Sequence, residues 1–275
     1  MIHSLDHAKT IVFITLDTLR YDAAQRAFAN GRLPTLLPYL PQTGWERRHT
    51  PASFTYAAHH AFFSGFLPTP TTPGPHPRPY AAAFTGSEST DESTFVFPEA
   101  TLPEALSARG FRTICIGGTG FFNQQNELGS VLPNLFDEAH WDETLGVTDP
   151  NSATNQVKLA SELLQEETSQ NQQQPVFLFI NIAALHQPNW FYDATAERNV
   201  DTLDSHIAAL VAVDSALPPL FNEVTKRGRS SWIICSDHGT AYGENGHFGH
   251  RHAQSVIWDV PFASFDLDGL ETESS

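Results

Sequence analysis

Apolar runs and polar punctuation alternate along this chain in the rhythm of strand, loop and helix. Ile11-Val12-Phe13-Ile14-Thr15-Leu16, Pro175-Val176-Phe177-Leu178-Phe179-Ile180-Asn181-Ile182 and Ser231-Trp232-Ile233-Ile234-Cys235 are short and nearly continuous, the pattern of sheet strands buried on both faces. Arg112-Thr113-Ile114-Cys115-Ile116 and Val260 to Phe265 read as two further strands. Between these runs, Arg20 to Ala29 predicts a helix closed near Gly31, and Leu33 to Leu40 a second short one stopped by Pro41. Tyr56 to Ser64 predicts a helix ended by Gly65, with Thr55 as its N-cap. Leu102 to Ala108, Ala153 to Thr168 and a single long amphipathic helix over Val200 to Val224 complete the series. Strand and helix take turns, so the predicted fold class is α/β: a central, mostly parallel sheet flanked by helices. The chain has no internal repeat.

One stretch breaks the rhythm. Six prolines between Pro68 and Pro79, followed by a Ser/Thr/Glu-rich run to Thr94, exclude regular helix or central strand there. Residues 66–94 are therefore expected to form a long surface loop or lid, and 268–275 a flexible tail, on one domain spanning 1–275.

Composition narrows the function. With 40% hydrophobic residues and 20 Phe among 275, the chain can fill a sizeable interior, and no apolar run approaches the ~20 residues that cross a bilayer. The N-terminal residues lack the basic start and apolar stretch of a secretory signal, and Cys115 and Cys235 sit inside strand-like runs, as buried free thiols would. A cytoplasmic protein is expected, with no membrane partner. A net charge of −16 disfavours nucleic acid, whose binding draws on a basic surface, while a small anionic ester can still be drawn in by local charge.

Candidate chemistry collects where the strands stop. The first ends at Asp17, the Val176 strand shortly before His186-Gln187-Pro188, and the Trp232 strand at Ser236-Asp237-His238-Gly239, followed by Gly243-Glu244-Asn245-Gly246-His247-Phe248-Gly249-His250. If these strands are parallel neighbours, oxygen and nitrogen ligands converge at one sheet edge, where open α/β sheets bind ligands. Such a mixed shell suits a divalent ion: Zn, Mn, Mg or Ca. Plainer roles stay open. Asp17 can cap the next helix and Thr55 can act only as a cap. His247, His250 and His252 can form a solvated loop cluster, and Arg20, Asp22 and Asp214 can form structural ion pairs or helix contacts. His59 and His60, adjacent on a helix, point about 100° apart, so at most one of them faces the site.

In order and spacing, Ile14 to Asp22, Thr55 to Gly65, His186-Gln187-Pro188 and Ser236 to His250 resemble the motifs of the alkaline phosphatase superfamily in its sulfatase-like branch. Trp45-Glu46-Arg47-Arg48-His49-Thr50-Pro51 and Ser53 to His59 are similar to sulfatase-like metalloenzymes in particular. The resemblance covers almost the whole chain. It implies an alkaline-phosphatase-like fold and metal ligation by Asp17, Asp237 and His238. It also makes Thr55 a metal-bound nucleophile, and His59, His186 and His250 the groups that hold ester oxygens or protonate the leaving group.

Departures from the pattern shape the chemistry it implies. Thr55-Tyr56-Ala57-Ala58-His59 offers neither Cys nor Ser followed by Pro-x-Arg, so formylglycine cannot form, and hydrolysis of phosphate mono- or diesters or phosphonate esters through phosphothreonine is favoured. Thr18 stands where the family's second acid would, and Asp201, Asp204 or His206 contribute to a second metal triad only weakly. The C-terminal subdomain of larger sulfatases has no counterpart, so loops, a second copy or a partner chain would complete the substrate wall. The alternatives are a phospho-group transferase similar to phosphoethanolamine transferases, a sulfate-ester hydrolase without formylglycine, and a metal-binding scaffold without turnover.

Overall fold

Thr10–Leu16 (β1) is buried at every position, and a strand without a wet face must sit centrally with layers on both sides. The computed structural model describes residues 9–65, 80–82, 92, 94–97, 101–166 and 174–269. In it β1 is the middle of a seven-stranded sheet. With β2 as Glu46–His49, β3 as Arg112–Ile116, β4 as Glu138–His140, β5 as Val176–Ile182, β6 as Ser230–Cys235 and β7 as Asp259–Leu267, the order is β2-β7-β6-β1-β5-β3-β4. From β6 through β4 neighbouring strands run parallel, and β7 is antiparallel to both β6 and β2.

Register levels the strand ends. Thr15 lies opposite Asn181 of β5 and Cys235 of β6, so the first residues beyond all three strands emerge at one edge. One face of the sheet is aliphatic: Val12, Ile14, Leu178, Ile180 and Ile234 pack in one buried cluster with residues of α1 (Tyr21–Ala29), α4 (Ser152–Glu166), α5 (Leu203–Ala216) and α6 (Pro218–Lys226). Phenylalanine fills the other, where Phe13, Phe177 and Phe179 meet Phe63 of α2 (Thr55–Ser64), Phe122 and Phe136. A further short helix, α3 (Leu102–Ser107), closes on Gly110 in the left-handed region at φ 88°.

Four sequence expectations change in detail. The Val200–Val224 helix is two helices, because Pro218-Pro219 remove amide donors and restart the backbone at Leu217. Leu203–Lys226 is together long and apolar enough to cross a membrane, but 56% of its apolar window is buried inside the molecule. Leu33–Leu40 yields only the 3-10 turn Leu37–Tyr39, since Pro34 and Pro38 leave too few consecutive donors for an α-helix. Thr55 is the first residue of α2 rather than its cap; extended Phe54 occupies the cap position and no side chain caps the amides. The expected 66–94 lid lies mostly outside the described residues, as does 270–275 of the expected tail. Cys115 and Cys235 are both buried free thiols.

Candidate metal centre

Four side chains from three segments meet at the C-terminal edge of β1, β5 and β6. Asp17 follows β1, Asp237 and His238 follow β6, and Thr55 opens α2; all four are buried. Ligand atoms of Asp17, Asp237 and His238 lie within 4.8 Å of one another, the only such group of three or more His, Cys, Asp or Glu among the described residues. The Thr55 hydroxyl stands 3.4 Å from Asp17 Oδ2 and 3.3 Å from His238 Nε2.

The unmet hydrogen-bonding capacity of these groups fits a cation. Asp17 Oδ1 and Asp237 Oδ2 are buried oxygens without a hydrogen-bond partner, a costly condition for carboxylates unless a positive charge faces them. Their other oxygens are held: Asp237 Oδ1 accepts from the Thr18 amide (3.1 Å) and the His238 amide (3.0 Å), and Asp17 Oδ2 accepts from Asn181 Nδ2 (3.1 Å). His238 donates Nδ1–H to the Gly239 carbonyl at 2.9 Å, which leaves Nε2 as a lone pair facing the carboxylates. Hard oxygens with one imidazole make a donor set for Zn²⁺ or a similar divalent ion. The backbone supports this geometry. Thr18 takes φ 65°, an uncommon value for a β-branched residue, to aim its amide at Asp237. At Gly239 a Cβ would sit 1.8 Å from the Val256 carbonyl oxygen, so only glycine lets the 255–258 turn close over His238.

Burial raises both carboxyls. Desolvation first, then the neighbouring Asp237 charge, lifts Asp17 from 3.8 to about 6, and desolvation lifts Asp237 to about 7. The metal-free fold therefore holds these protons more tightly than the unfolded chain does. The stability so gained is complete below about 4 and is lost as pH rises through about 6 and about 7. The buried imidazoles of His59 and His206, held uncharged by burial with values near 3, act with the opposite sign, so variant and wild type are compared at one pH. In chelator at pH 8, Asp17→Asn is expected to melt above wild type, while added Zn²⁺ raises only the wild-type midpoint. A wild type that melts higher in chelator would disprove an uncompensated carboxylate.

The three histidines expected to handle the ester divide. His186 and His250 stand together on the open side of the centre: the His250 ring lies 4.5 Å from that of His238 and 5.7 Å from that of His186, and His186 Nδ1 donates to the Gln187 carbonyl at 2.6 Å. Burial, then His238 and His186, hold His250 down to about 3. His59 is a correction. It lies beneath the carboxylates, 0% exposed and ringed by Phe62, Phe63, Phe122 and Phe179. Nδ1 donates to the Thr55 carbonyl at 2.7 Å and Nε2 accepts from the Thr15 hydroxyl at 3.0 Å, so neither nitrogen is left for an ester oxygen. His60 turns away and packs edge-on against Tyr56.

Asn181 is the residue that sequence reading passed over. Its amide nitrogen donates to both Asp17 Oδ2 (3.1 Å) and Thr15 Oγ1 (3.2 Å), and its oxygen accepts from the Thr119 amide (3.1 Å). A closed ring results: Asp17, Asn181, Thr15, His59, the Thr55 carbonyl, and back from the Thr55 hydroxyl to Asp17. The signal was present, one amide in the otherwise apolar Val-Phe-Leu-Phe-Ile-Asn-Ile strand. Asn181→Leu is expected to weaken Zn²⁺ binding about 10- to 100-fold with the fold kept, as read by metal titration against a chromophoric chelator; unchanged affinity would remove this orienting role.

The weak candidates for a second site are committed elsewhere. Asp201 accepts the Asn189 and Trp190 amides, Asp204 pairs with Arg26, and His206 lies between the Arg20 amide and the Leu185 carbonyl. Arg20 is nearly buried between Asp22 and Glu244, and Asp214 accepts the Thr35 and Leu36 amides, the structural roles their sequence contexts suggest.

Comparisons with known proteins give the family and the fold. The sulfatase family model matches residues 9–262. No curated protein matches the sequence. The C-terminal periplasmic domain of phosphoethanolamine transferase EptC from Campylobacter jejuni superposes with TM-score 0.62 at 17% identity, covering 95% of this chain and 80% of that one. The lipoteichoic acid synthase LtaP from Listeria monocytogenes gives TM-score 0.62 at 13% identity over 98% of this chain and 67% of its own. The periplasmic EptC domain from Escherichia coli, in complex with Zn, gives 0.58 at 12% over 93% and 72%.

Proposed function

Because this chain belongs to the sulfatase family and assembles Asp17, Asp237, His238 and Thr55 at one sheet edge, we propose that it is a metal-dependent phosphoric ester hydrolase with Thr55 as nucleophile. The observation that carries this reading is the Thr55 hydroxyl at hydrogen-bond range of both Asp17 and His238, beside two unpartnered carboxylate oxygens. Small anionic esters are the substrates, and the cytoplasm is the proposed location.

Asp17, Asp237, His238 Nε2 and Thr55 Oγ1 would hold the ion, which when bound supplies the charge that eases deprotonation of a hydroxyl and offsets charge on the ester. The chain's own groups do the rest. Thr55 Oγ1 sits at the N-terminus of α2, where first-turn amides point at an incoming anion. Its oxygen forms the bond to phosphorus as the bond to the leaving oxygen breaks, and the hydroxyl proton departs toward solvent or a neighbouring base. His186 and His250, on the open side, line the place of the ester oxygens, where the uncharged His250 imidazole can donate its N–H, and the leaving alcohol takes its proton from solvent. Water then attacks phosphorus, the bond to Thr55 Oγ1 breaks and the hydroxyl is restored, releasing phosphate from a monoester, a phosphate monoester from a diester, or a phosphonate from a phosphonate ester. The His59 ring fixes the Thr55 backbone from below, so the nucleophile needs little reorganisation to reach the ester.

A transferase reading is supported by one observation, the likeness of fold to phosphoethanolamine transferases, in which an alcohol would replace water in the second step. Metal analysis, joined to a panel of aryl phosphate, phosphodiester, phosphonate and sulfate esters with and without an added alcohol, tests both. Phosphorus-ester turnover that requires metal and is indifferent to the alcohol supports the hydrolase. Product carrying the alcohol supports the transferase, and sulfate-ester turnover alone would remove both.

A further inference from the structure

Arg251 follows His250 and has an unusual setting. Its backbone takes φ 74°, a conformation L-residues other than Asn and Asp seldom adopt, and its amide donates to the Ser53 carbonyl at 3.0 Å. The guanidinium carbon lies 5.2 Å above the ring of Phe54, the residue that leads into Thr55. The strained turn thus ties a cation to the flank of the nucleophile, where stacking on the aromatic face holds it in place. Arg20, Arg26, Arg47, Arg48 and Arg112 each meet a carboxylate; among the described residues no carboxylate lies within ion-pairing distance of Arg251, which is exposed. In a chain of net charge −16 with only 15 Lys and Arg, an arginine so placed is available to a ligand.

A charge count gives that position meaning. Asp17 and Asp237 together cancel one divalent ion. Thr55 and Asn181 are neutral side chains. The permanent charge that remains on this flank is that of Arg251, over the ring of Phe54 next to the nucleophile.

We propose that Arg251 is a specificity-determining residue that binds a non-bridging oxygen of the ester and matches the site to monoanions, so that phosphodiesters and phosphonate monoesters are preferred over phosphate monoester dianions. The inference rests on the phosphoric-ester reading above. A monoanion is neutralised by the one guanidinium, whereas a dianion leaves one negative charge uncompensated in a partly desolvated place. Arginine suits the task because its fork can span two oxygens of the phosphorus centre.

The test uses the Zn²⁺-loaded full chain at pH 8.5, with bis(p-nitrophenyl) phosphate as monoanion and p-nitrophenyl phosphate as dianion. The wild type is expected to favour the monoanion in kcat/KM. Arg251→Gln should lower kcat/KM for the monoanion about tenfold or more, chiefly through KM, with bound Zn²⁺ and melting temperature unchanged and partial recovery in Arg251→Lys. Preference for the dianion, or an unchanged KM in Arg251→Gln, overturns the proposal. If no ester is turned over, the hydrolase reading fails, and calorimetric titration with diethyl phosphate decides the arginine's role. Binding weakened about tenfold in Arg251→Gln upholds the subsite; equal binding overturns it.

Discussion

Asp237→Asn is expected to remove both bound metal and turnover, lowering kcat/KM by about a thousandfold or more, the equivalent of several kcal/mol of charge stabilisation. The size follows from how Asp237 is used. Its Oδ1 is fixed by the Thr18 and His238 amides, which leaves the buried Oδ2, without a hydrogen bond, as the oxygen that would face the ion. An asparagine there either keeps the two amide bonds and turns its NH₂ toward the ion, or reverses and clashes with two donors. In both orientations a charged ligand is lost. Metal content by elemental analysis, read beside turnover of an aryl phosphodiester, checks it. Variant protein that keeps stoichiometric metal would show that the ion, if any, sits elsewhere.

Thr55→Ala has an equally large expected effect by a different route. Turnover should fall by ~10⁴-fold or more, as when a nucleophile is deleted, with metal largely retained through Asp17, Asp237 and His238. The fold cannot be the cause. Thr55 occupies the first position of α2 and caps nothing, and alanine is the better helix former there. Acid quench of wild-type protein during turnover, followed by peptide mass spectrometry, should find a phosphoryl group on Thr55. Thr55→Ser, which keeps an oxygen at the same place, should retain part of the activity. If Thr55→Ala turns over as fast as wild type, the covalent route is excluded.

The parallel core of β1, β5 and β6 could be read directly because strands buried on both faces spell out continuous apolar runs, and a levelled register then makes their ends meet. Asp17 and the Asp237-His238 pair were legible for the same reason, since each directly follows such a run. Thr55 was read one position out of place: the cap falls on Phe54, an assignment that depends on backbone angle rather than on residue type. For His59, helical spacing alone cannot say whether a ring faces solvent or the core, because two of the four rings around it, Phe179 and Phe122, come from β5 and from the turn after β3. Strand β2 was illegible as a strand. Glu46-Arg47-Arg48-His49 has no apolar alternation, and only its antiparallel partner Asp259–Phe262 gives it structure.

That outermost ribbon has a colloidal consequence. All four of its side chains are exposed, Arg47 pairs with Asp259 and Arg48 with Glu46, so another molecule's strand would have to strip water from a dense row of ions before it could add to this border. Crowded solutions of the protein should therefore resist amyloid-like stacking from this flank, a protection that large hydrophobic replacements at 46–49 would remove.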